Sequence, residues 1–255
     1  VEYRIRTDLL RPTLVVTFAG ALSLVVSVAV AARAYRGRAD DARRETRSLE
    51  VKGLAVKRVR SDIGVWRIAV RGEAPALKEA YERLDMGFQR VRAFLAEQRF
   101  PDAEVTLGAI DTETHYRRDE KGEATRDVAG FTLARALTVT SGDVARIAAA
   151  AGEVTRLIGE GFLVVSSAPE YHFSGLAELK VELMGLAARD ARARAEELAG
   201  NAGGRIGEVQ DAQMGVLQIT RPHSTETRSY GVYDTDTIDK DVRAVVTVSF
   251  RVVQP

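Results

Sequence analysis

From Thr13 to Ala32 the chain reads TLVVTFAGALSLVVSVAVAA, 20 residues without a charge. A helix rising about 1.5 Å per residue would cross the roughly 30 Å hydrocarbon core of a bilayer over that length. Leu, Val and Ala surround the whole circumference and leave no polar face, which argues against an amphipathic surface helix. Arginine flanks on both sides argue against a buried core helix. We therefore expect a short flank over residues 1–12 and a retained transmembrane anchor over residues 13–32, with the lipid bilayer as its partner. A cleaved signal peptide is the alternative, because Ala29-Val30-Ala31 has the small-x-small form of a cleavage site. Against cleavage, Arg33, Arg36 and Arg38 follow at once, and the apolar run exceeds a typical signal core.

Six arginines follow the segment (33, 36, 38, 43, 44, 47) and three precede it (4, 6, 11). Taken alone, that bias places the following domain on the cytoplasmic face. Residues 33–47, RAYRGRADDARRETR, form a charged linker or a helical extension of the anchor, being too poor in apolar side chains for a core. Residues 1–47 carry a net charge of +4 within a total of +1, so the body from residue 48 is mildly acidic, near −3. A nucleic-acid groove needs a clustered positive field, so nucleic acid is not an expected partner. Cysteine is absent, which excludes disulfides, thiolate metal sites and cysteine nucleophiles. The three histidines, His115, His172 and His223, lie at least 51 residues apart, which excludes short-range histidine metal motifs.

Residues 48–255 read as one α+β domain, a largely antiparallel sheet covered by about three helices. Leu49–Val59 and Val65–Arg71 are rich in β-formers, and the Ser61-Asp62-Ile63-Gly64 stretch between them predicts a hairpin. Leu77, Tyr81, Leu84, Phe88, Val91 and Leu95 predict one helix face over about 75–98. Strands follow at Val105–Tyr116 and Gly130–Thr140, joined by the charged loop RRDEKGEATRD, with Arg135 breaking the second strand's alternation. A second helix, capped by Ser141, carries Val144, Ile147, Ala151, Val154 and Ile158. Phe162–Ser167 predicts a short buried strand. The third helix, about Leu176–Ala199 with Ser174 as a cap, turns Leu176, Leu179, Leu183, Leu186, Ala187, Ala191, Ala195 and Leu198 inward. Strands at Ile206–Thr220 and Val242–Val253 close the chain.

We expect no catalytic residue, no cofactor and no metal site. No phosphate-binding loop, dinucleotide fingerprint or serine-hydrolase elbow is present, and the glycines from Gly200 to Gly207 follow a helix instead of leading into one. Asp190 and Arg194 are spaced for a helix-surface ion pair, or for a buried one holding the helix to the sheet. His115 or His172 would serve as a general base only if folding brought a carboxylate to it within a pocket. Residues 221–241 form a long polar stretch carrying Tyr230 and Tyr233, which are the candidate partner contacts; a plain unstructured excursion is the alternative.

The third helix holds the most specific pattern: Asp190-Ala191, Arg194-Ala195, Leu198-Ala199, then Gly203 and Gly207. This resembles the D-A-x-x-[KR]-A-x-x-[LI]-A…G…[LI]-G signature of the SIMPL-domain family, which includes bacterial periplasmic and outer-membrane immunogenic antigens. Other landmarks fall in order. The strand ending at Gly53 looks like the family's V-x-V-x-G strand, Asp62 matches an Asp at the first turn, and Ile110 and Thr112 resemble its I-x-T strand. Gly130-Phe131 stands where the family has Gly-Tyr, and Gly159 and Gly161 lie near its Gly-Ala position. The resemblance implies an α+β domain in the bacterial envelope with no established catalytic residues. It also implies ring-like homo-oligomers proposed as channels in some members, and tolerance of oxidative stress in others. It favours a body in the periplasm on a single inner-membrane anchor, against the arginine count. The expected function is a non-enzymatic, membrane-anchored protein that self-associates; the alternative is a tethered adaptor presenting residues 221–241 to another envelope protein.

Overall fold

The structure, a computed structural model, describes residues 28, 30–33 and 48–253. Most of the expected anchor, and the linker after Arg33, lie outside the described residues; residues 28 and 30–33 are helical. Among the described residues, no helix is long and apolar enough to cross a membrane.

The body is α+β with antiparallel sheets, in the order β1 (Ser48–Arg60), β2 (Ile63–Ala74), α1 (Leu77–Glu97), β3 (Val105–Arg118) and β4 (Ala124–Ser141). It continues through α2 (Val144–Glu153), α3 (Arg156–Gly159), β5 (Leu163–Ser166), β6 (Glu170–His172) and α4 (Leu176–Asn201). β7 (Arg205–Met214), β8 (Gln218–Thr220), β9 (Val232–Tyr233) and β10 (Asp239–Val253) complete it. The described body divides into two compact units, a larger one of residues 53–190 and 214–246 and a smaller one of residues 48–52, 191–213 and 247–253.

The described residues form two five-stranded sheets where a single sheet was expected. One runs β1-β10-β8-β9 with β7 also paired to β10; the other runs β3-β4-β2-β5 with β6 also paired to β2. The predicted β1–β2 hairpin is therefore not formed. Ser61 and Asp62 turn the chain from one sheet into the other, their N–H groups donating to the carbonyls of Ile238 and His172. Turn residues announce a reversal but do not say which strands will pair.

In the larger unit, β2 is the central strand, pairing with β4 over its whole length from Gly64 to Ala74 and with β5 and β6 on its other side. Trp66, Ile68 and Val70 of β2 enter a core with Leu133, Leu137 and Val139 of β4. Leu84, Phe88, Val91, Phe94 and Leu95 of α1 join them, with Val144, Ile147 and Val154 from the α2 region. The α1 stripe holds from Leu84 onward, but Leu77 and Tyr81 are about half exposed and Ala80 is fully buried in their place. Gly72 explains the substitution of a small side chain: a Cβ there would lie 2.2 Å from the Ala80 carbonyl oxygen and 2.4 Å from the Leu84 nitrogen. The helix crosses the strand backbone to backbone, and only small residues fit the crossing.

Arg135 also gains a reason. Its Nε donates to the carbonyl of Gly108 at 3.0 Å, and its guanidinium lies 4.4 Å from the Phe88 ring centre. It ties the bulge between Leu107 and Ile110 to β4 while covering an aromatic face.

Several local expectations change. The second helix stops at Glu153 and restarts at Arg156, giving four α-helices in the described body, residues 48–253. Its cap is Asp143, whose side chain accepts from the Arg146 N–H, while Ser141 bonds Glu104. Arg146 was not singled out from sequence, yet it donates to Glu104, Ser141 and the Arg99 carbonyl and stacks over Phe100. β5 has only Val164 buried, with Leu163 and Val165 about half exposed, because it lies at an edge. The predicted strand over 206–220 is broken at Gly215 into β7 and β8.

The first half of α4, within the larger unit, buries Leu179, Leu183 and Ala187. Leu186, expected on that face, is more than a third exposed. In the smaller unit, Ala191, Ala195 and Ala199 continue the four-residue step and are buried, whereas Leu198 is 55% exposed. Gly203, at φ 79°, ends the helix, and the Gly204 N–H donates to the Ala199 carbonyl.

Candidate functional site

Two surfaces of the larger unit present chemistry to a partner. The first is the long β3–β4 hairpin. β4 pairs with β2 only from Phe131 to Ser141, whereas it pairs with β3 down to Ala124. Residues 124–130 therefore have one neighbouring strand, not two. Nearly every β3 residue from Ala109 to Arg118 is exposed on both faces, Thr114 being half-buried. Ile110, Tyr116 and Val128 are each at least 40% exposed. The predicted charged loop shrinks to a tight turn in which the Asp119 carboxylate accepts the N–H groups of Lys121 and Glu123.

At the root of this hairpin lies a shallow groove of about 620 Å3, lined in part by Arg71, Arg83, Glu113, His115, Gly130 and Thr132. His115 Nε2 and Thr132 Oγ1 are 2.7 Å apart, while His115 Nδ1 lies 3.8 Å from Glu113. The carboxylate is too distant for a hydrogen bond, and its side chain is 72% exposed. His172 stands 3.6 Å from Glu170 and beside the Tyr233 ring. Each histidine thus has a carboxylate nearby, and neither is held by one as a catalytic base would be.

The second surface is the 221–241 stretch, which is tied down at several points. Asp241, nearly buried, accepts two hydrogen bonds from the Arg58 guanidinium and one from the His223 N–H. These donors, Arg58 foremost, hold its carboxyl below the usual range despite burial. Lys240 is 1% exposed, and its ammonium donates to the Asp234 and Thr237 carbonyls at 2.6 Å each. Burial pushes that ammonium down from its ordinary pKa, against the Asp234 carboxylate 3.7 Å away. Burial would raise the Asp234 carboxyl, but the Asp236 and Thr237 N–H groups and the Thr237 hydroxyl outweigh it and lower it. β9 then pairs in parallel with β8, an arrangement no sequence signal announced. The sequence offers one signal for Lys240, its place just before an alternating apolar strand.

The pinned stretch leaves Tyr230 almost wholly exposed, at 99%, and Tyr233 half exposed. Both border an apolar cleft of about 510 Å3 with Leu176, Met214, Val216 and Leu217. The two tyrosines singled out from sequence are thus brought together beside one cleft.

The family-pattern residues are placed as structural parts. Gly53 is buried in β1, and Thr112 is exposed on β3. Asp62 accepts from the Ser174 N–H and hydroxyl at 2.8 and 2.5 Å, so Ser174 serves the turn and not the helix start. The Ser174 hydroxyl, with the backbone donors, holds the Asp62 carboxyl low. Gly130 leaves room for the Ala74 carbonyl, which a Cβ would approach to 3.0 Å, and Phe131 packs partly buried beside it. The Asp190 carboxylate accepts the backbone N–H of Leu54 in β1 at 2.8 Å. Arg194 is exposed on α4, and Gly207 leaves room for Val253 and Arg251 of β10. Among the described residues, no three metal-ligating side chains converge.

The family model for SIMPL, described as a protein of unknown function (DUF541), matches residues 49–250, from the first body strand nearly to the end of β10. No curated protein matches the chain. The match covers most of the sequence and runs from β1 nearly to the end of β10, and the chain belongs to the SIMPL family.

Proposed function

We propose that this protein is a non-catalytic SIMPL-domain component of the bacterial cell envelope. Residues 13–32 anchor it in the inner membrane, and its body self-associates in the periplasm into a ring- or channel-like assembly linked to envelope or oxidative stress. The observation that carries this reading is the β3–β4 hairpin, whose outer strand has an unpaired edge and side chains exposed on both faces. Two-stranded ribbons gain from a further strand, and an edge of that length is a template for one.

A second reading has its own support: Tyr230 stands free above an apolar cleft on a firmly pinned stretch, the form of a contact used by a tethered adaptor. Light scattering of the full-length protein in detergent separates the two. A defined oligomer supports assembly, and a monomer at all concentrations refutes it in favour of the adaptor. Protease accessibility in spheroplasts tests the orientation; protection of the body would place it in the cytoplasm, as the arginine count has it.

A further inference from the structure

β3 lies at the end of its sheet, with β4 on one side and, among the described residues, no strand on the other. The register with β4 shows where this edge is regular. Between Leu107 and Ile110 the extra residue sits in β3, whereas beyond His115 the extra residues sit in β4. β3 itself therefore runs without interruption from Ile110 to Arg118, with its outward N–H and C=O groups in steady alternation.

Its charges are ordered along that run. Asp111, Glu113, His115 and Arg117 share one face, acids first and bases last. Asp111 and Arg117 make no ion pair or side-chain hydrogen bond among the described residues. We propose that β3 is the docking strand for a second copy of this chain, added antiparallel about a two-fold axis through Thr114. This rests on the self-association proposed above and names the surface and register of one of its contacts; a two-fold contact closes at a dimer, so a ring needs a second, different contact between dimers.

A two-fold axis normal to the sheet keeps odd-numbered residues on one face in both copies, so it must pass through a residue position. At Thr114 it sets Asp111 opposite the partner copy's Arg117 and Glu113 opposite its His115, and each pairing occurs twice. On the other face Thr112 meets Tyr116, and Thr114 meets itself, both favourable cross-strand pairs. Moving the axis to Glu113 opposes two glutamates, and moving it to His115 opposes Asp111 with Asp119. Charge on an edge strand is also a device against pairing, but a purely protective pattern has no reason to be self-complementary about one residue.

The chain has no cysteine, so a single introduced thiol reports the axis. Residues opposed across an antiparallel pair have Cα atoms about 4.5–5.5 Å apart, within disulfide range. In full-length protein in detergent, Thr114→Cys should give a covalent dimer on mild oxidation, whereas Thr106→Cys, off the axis, should not. Equal cross-linking of both would mark random collision and overturn the proposal. Asp111→Arg and Arg117→Asp should each weaken association about tenfold or more, and the double exchange should restore it, as read by sedimentation equilibrium. If the wild type is oligomeric but Thr114→Cys does not cross-link and the exchanges leave the mass unchanged, β3 is refuted while self-association stands. If the wild type is monomeric throughout, both fall.

Discussion

The crossing of α1 over β2 offers a sharp test of the packing, because the same substitution should have opposite signs at two glycines. A Cβ on Gly72 would lie 2.2 Å from one helix backbone oxygen and 2.9 Å from the Leu84 Cα, where ordinary contact begins near 3.4 Å. No rotamer change relieves a clash with backbone, so α1 must withdraw by about 1 Å, and a gap of that size forfeits a quarter to a half of the dispersion across it. Leu84 and Phe88 flank the crossing, and their full burial is worth about 1.5–3 kcal/mol each. With the strain of displacement, Gly72→Ala should cost about 3 kcal/mol. Gly152 lies within α2 with nothing within 4 Å of a Cβ, so Gly152→Ala should stabilise by about 0.5–1 kcal/mol through helix propensity. Trp66, the only tryptophan and fully buried in β2, gives the readout by fluorescence during urea unfolding. The midpoint should fall by about 1–2 M for Gly72→Ala and rise slightly for Gly152→Ala. A Gly72→Ala midpoint equal to the wild type would refute the close crossing.

Three further outcomes are expected. Lys240→Met leaves the Asp234 and Thr237 carbonyls without their donor and should cost about 2–4 kcal/mol; calorimetry should show the melting temperature lower by about 6–12 °C, and an unchanged value would mean that the ammonium does not hold the 234–240 turn. Asp62, Asp234 and Asp241 all have carboxyls below the ordinary 3.8, so their stabilisation is complete above that value and lost as pH falls through the lower folded values. Denaturation midpoints should be level from about pH 5 to 7 and drop below pH 4, and Asp241→Asn should be less stable at neutral pH with a shallower acid loss; an unchanged acid slope would count against the Arg58 pairing. Tyr230→Ala should leave the melting temperature within about 1 °C, since its side chain rests on nothing, and a larger fall would show that the tyrosine is part of the fold.

Periodicity made the alternating face of β10 from Val242 to Phe250 legible, and most of α1 and the alanine half of α4. These patterns are local, and burial follows them directly. Pairing was not legible. The β1 strand ends at a convincing turn, yet its neighbour is β10, almost 180 residues further on, and nothing in either strand specifies the other. Backbone approach was equally silent: Gly72 looks like any strand glycine until the helix above it is in place. The candidate surfaces were half visible. Tyr230 and Tyr233 stood out as aromatics in a polar run, but Lys240, which pins that run, reads as one more surface charge. The Arg146 cluster gathers residues from two stretches, 99–104 and 141–146, that no linear signature links.

Asp190 gives the two sheets different fates. β1 ends its sheet, as β3 ends the other, so it too has a side without a neighbour. Along that side the Leu54 N–H is taken up by the Asp190 carboxylate, while Lys57 is held by Glu182 of the same helix. A strand approaching β1 would have to displace a charged acceptor and break an ion pair before gaining its first backbone bond. The helix thus covers one border, and in the proposed assembly strand addition would be left to the other. Loss of the Asp190 carboxylate would therefore damage the choice of partner more than the fold, and disordered aggregates in place of defined assemblies would be its mark.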